Sequence, residues 1–128
     1  MEDKKIGISD GEWKIMQALW EKEPRTITEL VVELREETGW TKHTVITMLG
    51  RLEKKGAVAY REGERAKQFY PVFKKEETEL QETRGFLQKV YNGSLGLMVS
   101  QMVKEKSLSR EEMEELYSIL KQAEEGER

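Results

Sequence analysis

The stretch WTKHTVITMLGRLEKKG, residues 40–56, holds the side chains whose types and spacing best suit chemistry with a partner. His43, Thr44, Thr47 and Arg51 fall on one side of a helix when the stretch is wound with a 3.6-residue period, and Lys42 stands at its start. Lysine and arginine reach phosphate oxygens or a guanine edge, and small hydroxyls reach a nucleic-acid backbone or a thymine methyl. Carboxylates are scarce: between Thr38 and Gly63 only Glu53 and Glu62 are acidic. A surface that meets phosphates must keep acids away, because like charges repel. The chemistry is therefore recognition of a polyanion, double-stranded DNA above all, and not bond-making. A plain core helix with a solvated outer face explains Val45, Leu49 and Leu52, but not the shortage of acids.

The charge distribution supports the same partner. Residues 38–75 carry nine basic and three acidic side chains, net +6, within a chain of formal net charge −3. Residues 1–37 are net −4 and residues 76–128 net −5. Past Gly56, the segment AVAYREGERAKQFYPV has β-prone residues on both sides of Glu62-Gly63-Glu64, the pattern of a hairpin with a short glycine-containing loop. Its Arg61, Arg65 and Lys67 could grip phosphates; on their own they could equally be solubilising charges.

Other chemistries find little support. The chain has no cysteine, which excludes a disulfide framework, a thiolate metal site and a cysteine nucleophile. His43 is the only histidine. The acid runs Glu76, Glu77, Glu79, Glu82 and Glu111, Glu112, Glu114, Glu115 have no nucleophile motif or glycine-rich loop beside them and read as solvated helix faces. No catalytic residue, metal ligand or cofactor is expected, and no enzymatic activity. No apolar run follows Lys4 and Lys5, so no secretory signal and no membrane insertion is expected; the expected location is the cytoplasm.

The elements that must carry these residues can be read from caps and periods. Ser9–Glu12, Thr26–Glu29 and Ser109–Glu112 are S/T-x-x-E capping boxes, each of which opens a helix. The first helix runs over about 10–22 and is stopped near Pro24; Trp13, Met16 and Trp20 lie on one face of it, with Ile15 and Leu19 beside them. Trp13, Trp20 and Trp40 read most simply as core residues, and Trp40, at a helix start, could also lie near the backbone of a bound duplex. The second runs over about 27–37, with Ile27, Leu30, Val31 and Leu34 on one stripe and Gly39 as its C-terminal cap. Thr41 caps the third, whose Val45, Met48, Leu49 and Leu52 face the core. Three helices and a basic hairpin form a winged helix-turn-helix, with the third helix as the reading helix. From 76 onward three more amphipathic helices are predicted. Their stripes include Leu87 and Val90, then Leu95, Met98 and Met102, then Met113, Leu116, Ile119 and Leu120. So few residues leave these stripes without a partner in the chain, and a second copy would cover them. The expected fold is thus mainly α: a winged-helix DNA-binding domain over 1–75 and a three-helix dimerisation domain over 76–128.

ISDGEWKIMQALW, ETGWTKHTVITMLGRLEKKGAV and YNGSL…LSREEMEELYSIL resemble the penicillinase and methicillin-resistance repressors of the BlaI/MecI type, over about residues 7–122. The resemblance implies a homodimeric repressor that binds a pseudo-palindromic operator. Matched position by position, it puts Lys42, Thr44, Thr47 and Arg51 at the DNA, with Thr47 and Arg51 at base edges, and Arg65 and Lys67 in the wing. In antibiotic-responsive members a membrane sensor pathway leads to cleavage at an Asn-Phe bond in the second C-terminal helix. The matching pair here is Gln101-Met102, a departure that bears on this route of induction. Copper-responsive relatives carry a cysteine-rich tail, which this chain lacks. The rival reading is a winged helix used as a protein-docking or adaptor module, with no sequence-selective DNA binding.

Overall fold

In the computed structural model, which describes residues 7–126, all three capping boxes form. The Glu12 amide donates to Ser9 Oγ at 3.2 Å and the Ser9 amide to Glu12 Oε1 at 3.0 Å. The same reciprocal pair joins Thr26 with Glu29 and Ser109 with Glu112. Each box satisfies two amides that a helix start would otherwise leave unpaired. The helices that follow are α1 (Asp10–Glu21), α2 (Ile27–Thr38) and, at the far end, α6 (Arg110–Gly126). Thr41 caps α3 (Lys42–Lys54) by accepting from the Thr44 amide at 3.2 Å. Gly39 ends α2 at φ 68, a left-handed conformation that a Cβ would disfavour.

Strands β1 (Val58–Glu62) and β2 (Lys67–Pro71) pair antiparallel, with Tyr60 opposite Phe69 and Glu62 opposite Lys67. The sheet gains one more contact that a local reading does not supply. Arg25, between α1 and α2, bridges to Phe69: its amide donates to the Phe69 carbonyl at 3.0 Å and its carbonyl accepts from the Phe69 amide at 2.8 Å. The Arg25 side chain is buried, with Nε on the Lys22 carbonyl at 3.0 Å and Nη1 3.2 Å from Glu33. This pins the middle of β2 to the segment between α1 and α2.

The core draws on every one of these elements. Ile15, Met16 and Leu19 of α1 meet Leu30 and Leu34 of α2, Val45, Leu49 and Leu52 of α3, and Ala57, Val58 and Phe69 of the hairpin. Each large aliphatic side chain fully buried contributes about 1.5–3 kcal/mol. The periodic stripes read from the sequence supply most of this set. The tryptophans are a correction to the expectation of core residues. Trp13, Trp20 and Trp40 are half-buried. Trp20 and Trp40 pack on the rim of the core, Trp20 Nε1 donates to the Phe73 carbonyl at 2.9 Å, and Trp13 meets Trp20 edge to face at 5.5 Å between ring centroids. An indole keeps a donor that must be satisfied, which favours the rim over the interior.

Helices α4 (Lys75–Tyr91) and α5 (Leu95–Lys104) complete the chain with α6. The turn after α4 uses Asn92 at φ 53 and Gly93 at φ 82. The chain divides into two compact units, Met1–Thr83 and Arg84–Arg128, with the division inside α4. In the second unit neither α5 nor α6 contains a buried residue.

Candidate nucleic-acid interface

With Val45, Leu49 and Leu52 turned into the core, helix geometry turns Lys42, His43, Thr47, Arg51 and Lys54 outward, and all five are exposed. Thr44 is half-buried, and its hydroxyl lies 3.2 Å from that of the capping Thr41. Its first bond is therefore to the helix start, and it offers an outside partner less than Thr47 does. No first-turn residue of α3 is acidic. The positive end of the helix dipole thus faces outward without a competing carboxylate, an arrangement that favours phosphate. Among the described residues, neither Lys42 nor Arg51 has a carboxylate within ion-pairing distance.

Lys55 behaves differently, although the sequence puts it beside Lys54 in one basic block. Its ammonium turns inward, donating to the Gly7 carbonyl at 2.6 Å and to the buried Glu12 carboxylate. Burial opposes the charged form of Glu12. The Lys55 ammonium, the Ser9 amide and the nearby Arg51 charge nevertheless hold its carboxyl below the ordinary value of 4.5. Glu12 thus ties α1 to the end of α3, and its charge also compensates Arg51.

The sign of the effect fixes a pH dependence. A carboxyl depressed in the folded state adds stability above its unfolded pKa and loses it as pH falls through the folded value. Glu12→Gln keeps the capping geometry and removes the charge. It should cost about 2 kcal/mol near neutral pH. Denaturant unfolding of both proteins should show this gap closing as pH falls below about 4.5. A gap that is constant with pH would reject the ion-pair account.

In the wing, Arg61, Arg65 and Lys67 are exposed. Arg65 lies in the turn between the strands, and Lys67 opens β2 with its Nζ 4.2 Å above the Tyr60 ring. The aromatic face orients that cation without neutralising it. Among the described residues, no group of three histidine, aspartate or glutamate side chains is placed to hold a metal ion, and no helix is long and apolar enough to cross a membrane.

The second unit carries the other set of expected residues. Leu87, Met98, Met102 and Leu116 are half-buried, while Val90, Leu95, Met113, Ile119 and Leu120 are exposed. Phe86, Leu97 and Tyr117 are exposed on the same three helices and were not among the residues read into the stripes. Tyr117 stands four residues after Met113, so helical spacing alone could have found it. Gln101 is exposed and Met102 half-buried, both within α5.

A sequence profile described as the penicillinase repressor matches residues 8–122. The chain belongs to the penicillinase repressor family. The penicillinase repressor of Bacillus licheniformis is 34% identical over 115 residues, covering 90% of each chain. The methicillin resistance regulatory protein MecI of Staphylococcus aureus is 29% identical over 120 residues, covering 94% of this chain and 98% of the relative. Among solved structures, the monomeric form of Bacillus licheniformis BlaI in complex with the blaP half-operator superposes with a TM-score of 0.50 at 31% identity, covering 58% of this chain and 90% of that one. The family assignment rests on nearly the whole chain, and the structural likeness on somewhat more than half of it.

Proposed function

We propose that this chain is a cytoplasmic DNA-binding transcriptional repressor that occupies a pseudo-palindromic operator as a homodimer. The observation that carries the reading is the outer face of α3, cationic, hydroxyl-bearing and free of acid in its first turn, in a family whose BlaI member is solved on a half-operator. Residues 1–75 form the DNA-binding domain and residues 76–128 the dimerisation domain. Lys42, Thr47 and Arg51 enter the major groove, with His43 and Thr44 beside them. Arg65 and Lys67 hold phosphates from the wing. Exposed Val90, Leu95, Ile119 and Leu120 need a cover, and a second copy supplies it. Two reading helices then meet successive major grooves about one turn of DNA apart, or a small multiple of it. Repression is steric: an occupied operator excludes polymerase.

Fluorescence anisotropy on a labelled duplex from upstream of the protein's own gene, against a scrambled duplex, tests the reading. Selective binding is expected to the first. The logarithm of affinity should fall linearly with the logarithm of salt, with a slope near −0.9 for each phosphate neutralised. Several phosphates per monomer imply a loss of orders of magnitude between low and moderate salt. A flat salt response, or equal affinity for every sequence including duplexes enriched from a random library, would instead favour the docking-module reading.

A further inference from the structure

Two outer residues of α3 remain without a role in recognition. Ile46 is 43% exposed on the face that carries Lys42, His43, Thr47 and Arg51, and it is not among the side chains packed on the core. Gly50, one turn further on, is exposed in mid-helix. Lys42, Ile46, Gly50 and Lys54 are spaced four residues apart and so form one ridge, flanked by His43, Thr47 and Arg51.

The chain itself has no use for glycine at position 50. Glycine is among the poorest helix formers. Gly50 is not one of the glycines with positive φ, and a Cβ built on it meets nothing within 4 Å. At Gly63, by contrast, a Cβ would lie 2.6 Å from the Ala66 carbonyl oxygen in the wing turn. Gly50 leaves the outer surface of α3 open and shallow there, bordered by Thr47, Arg51, Glu53 and Lys54. Cations and a carboxylate share that border, which suits a neutral base edge better than a phosphate. The apolar group that a base pair offers in the major groove is the thymine methyl.

We propose that Ile46 and Gly50 together read a thymine: Ile46 covers its 5-methyl group, and Gly50 lets the helix approach closely enough for that contact. This rests on the reading of α3 as the groove-facing helix, and it adds a specificity determinant to it. Polar contacts from Thr47 and Arg51 would then select neighbouring bases, while the Ile46 contact gains from removing apolar surface from water.

The test uses the full chain to enrich a duplex from a random-sequence library. That duplex is then remade with uracil in place of one thymine at a time, a change that deletes only the methyl. One position in each half-site should weaken wild-type binding by roughly tenfold. Ile46→Ala should bind the all-thymine duplex about as weakly as the wild type binds that uracil duplex, and should be indifferent to uracil there. Gly50→Ala should melt at a higher temperature than the wild type, since alanine is the better helix former, yet bind at least about tenfold more weakly. Circular dichroism checks that both variants are folded. Wild-type indifference to every uracil, or undiminished discrimination by Ile46→Ala, overturns the role of Ile46. Wild-type affinity in Gly50→Ala overturns the role of Gly50. If the library yields no preferred duplex, the reading of α3 as a DNA-contacting helix fails, and this inference falls with it.

Discussion

Leu116→Asp should turn a dimer into a monomer and weaken binding to a full operator by about 10²–10⁴-fold, while leaving half-site affinity unchanged. The size of the effect follows from linkage of two weak modules. In the proposed dimer, one reading helix with its wing contacts few base pairs, and a second is held near its own half-site only through the partner copy. Losing that tether removes the effective concentration of the second module and touches no DNA contact. Leu116 is half-buried in α6, next in the stripe to exposed Ile119 and Leu120. A carboxylate placed there would have to be desolvated whenever the stripe is covered. Sedimentation velocity separates the outcomes. A variant that still sediments as a dimer would reject this face as the interface. A monomer that still holds the full operator at wild-type affinity would reject the tethering argument.

The helices were legible in the sequence to the extent that their signals are local. A capping box ties residues three apart, so Ser9–Glu12, Thr26–Glu29 and Ser109–Glu112 could be read before any tertiary contact was known. The stripes of α1, α2 and α3 repeat within one helix, and they supplied the buried set from Ile15 to Leu52. What escaped depends on residues far apart in the chain. Arg25 completes the wing by pairing with Phe69, and nothing near Arg25 announces a strand. Lys55 reads as part of a basic helix end, because its partner Glu12 is 43 residues away. The tryptophans were placed too deep, because hydrophobic period does not show where an indole donor will find its acceptor.

The candidate site divides in the same way. Spacing on one helix was enough to gather Lys42, Thr47 and Arg51 on the exposed face. It could not show that Thr44 turns its hydroxyl toward Thr41, nor that Ile46 stands unpacked between cations. Those are questions of which groups are already satisfied inside the protein. The free donors and the unsatisfied apolar surface are what remain for a partner. The same subtraction distinguishes Lys54, exposed, from Lys55, which Glu12 and Gly7 hold.

Arg51→Ala tests what remains most directly. An arginine bidentate to a guanine edge is worth about 1–3 kcal/mol, and a symmetric dimer loses two of them at once, about 2–6 kcal/mol. Operator affinity should therefore fall at least about 30-fold. The loss should be accompanied by relaxed preference at one base position in each half-site. Arg51→Lys keeps the charge, and with it the electrostatic support of Glu12, but removes the planar fork. If Arg51 reads a base, the lysine variant should melt like the wild type and still lose most of the selectivity at that position. If Arg51 anchors a phosphate, the lysine variant should restore most of the affinity. The alanine variant would then weaken all sequences equally, and its salt dependence would be shallower by about one phosphate per monomer. Competition of single-base operator variants against the alanine and lysine proteins, at two salt concentrations, separates these outcomes.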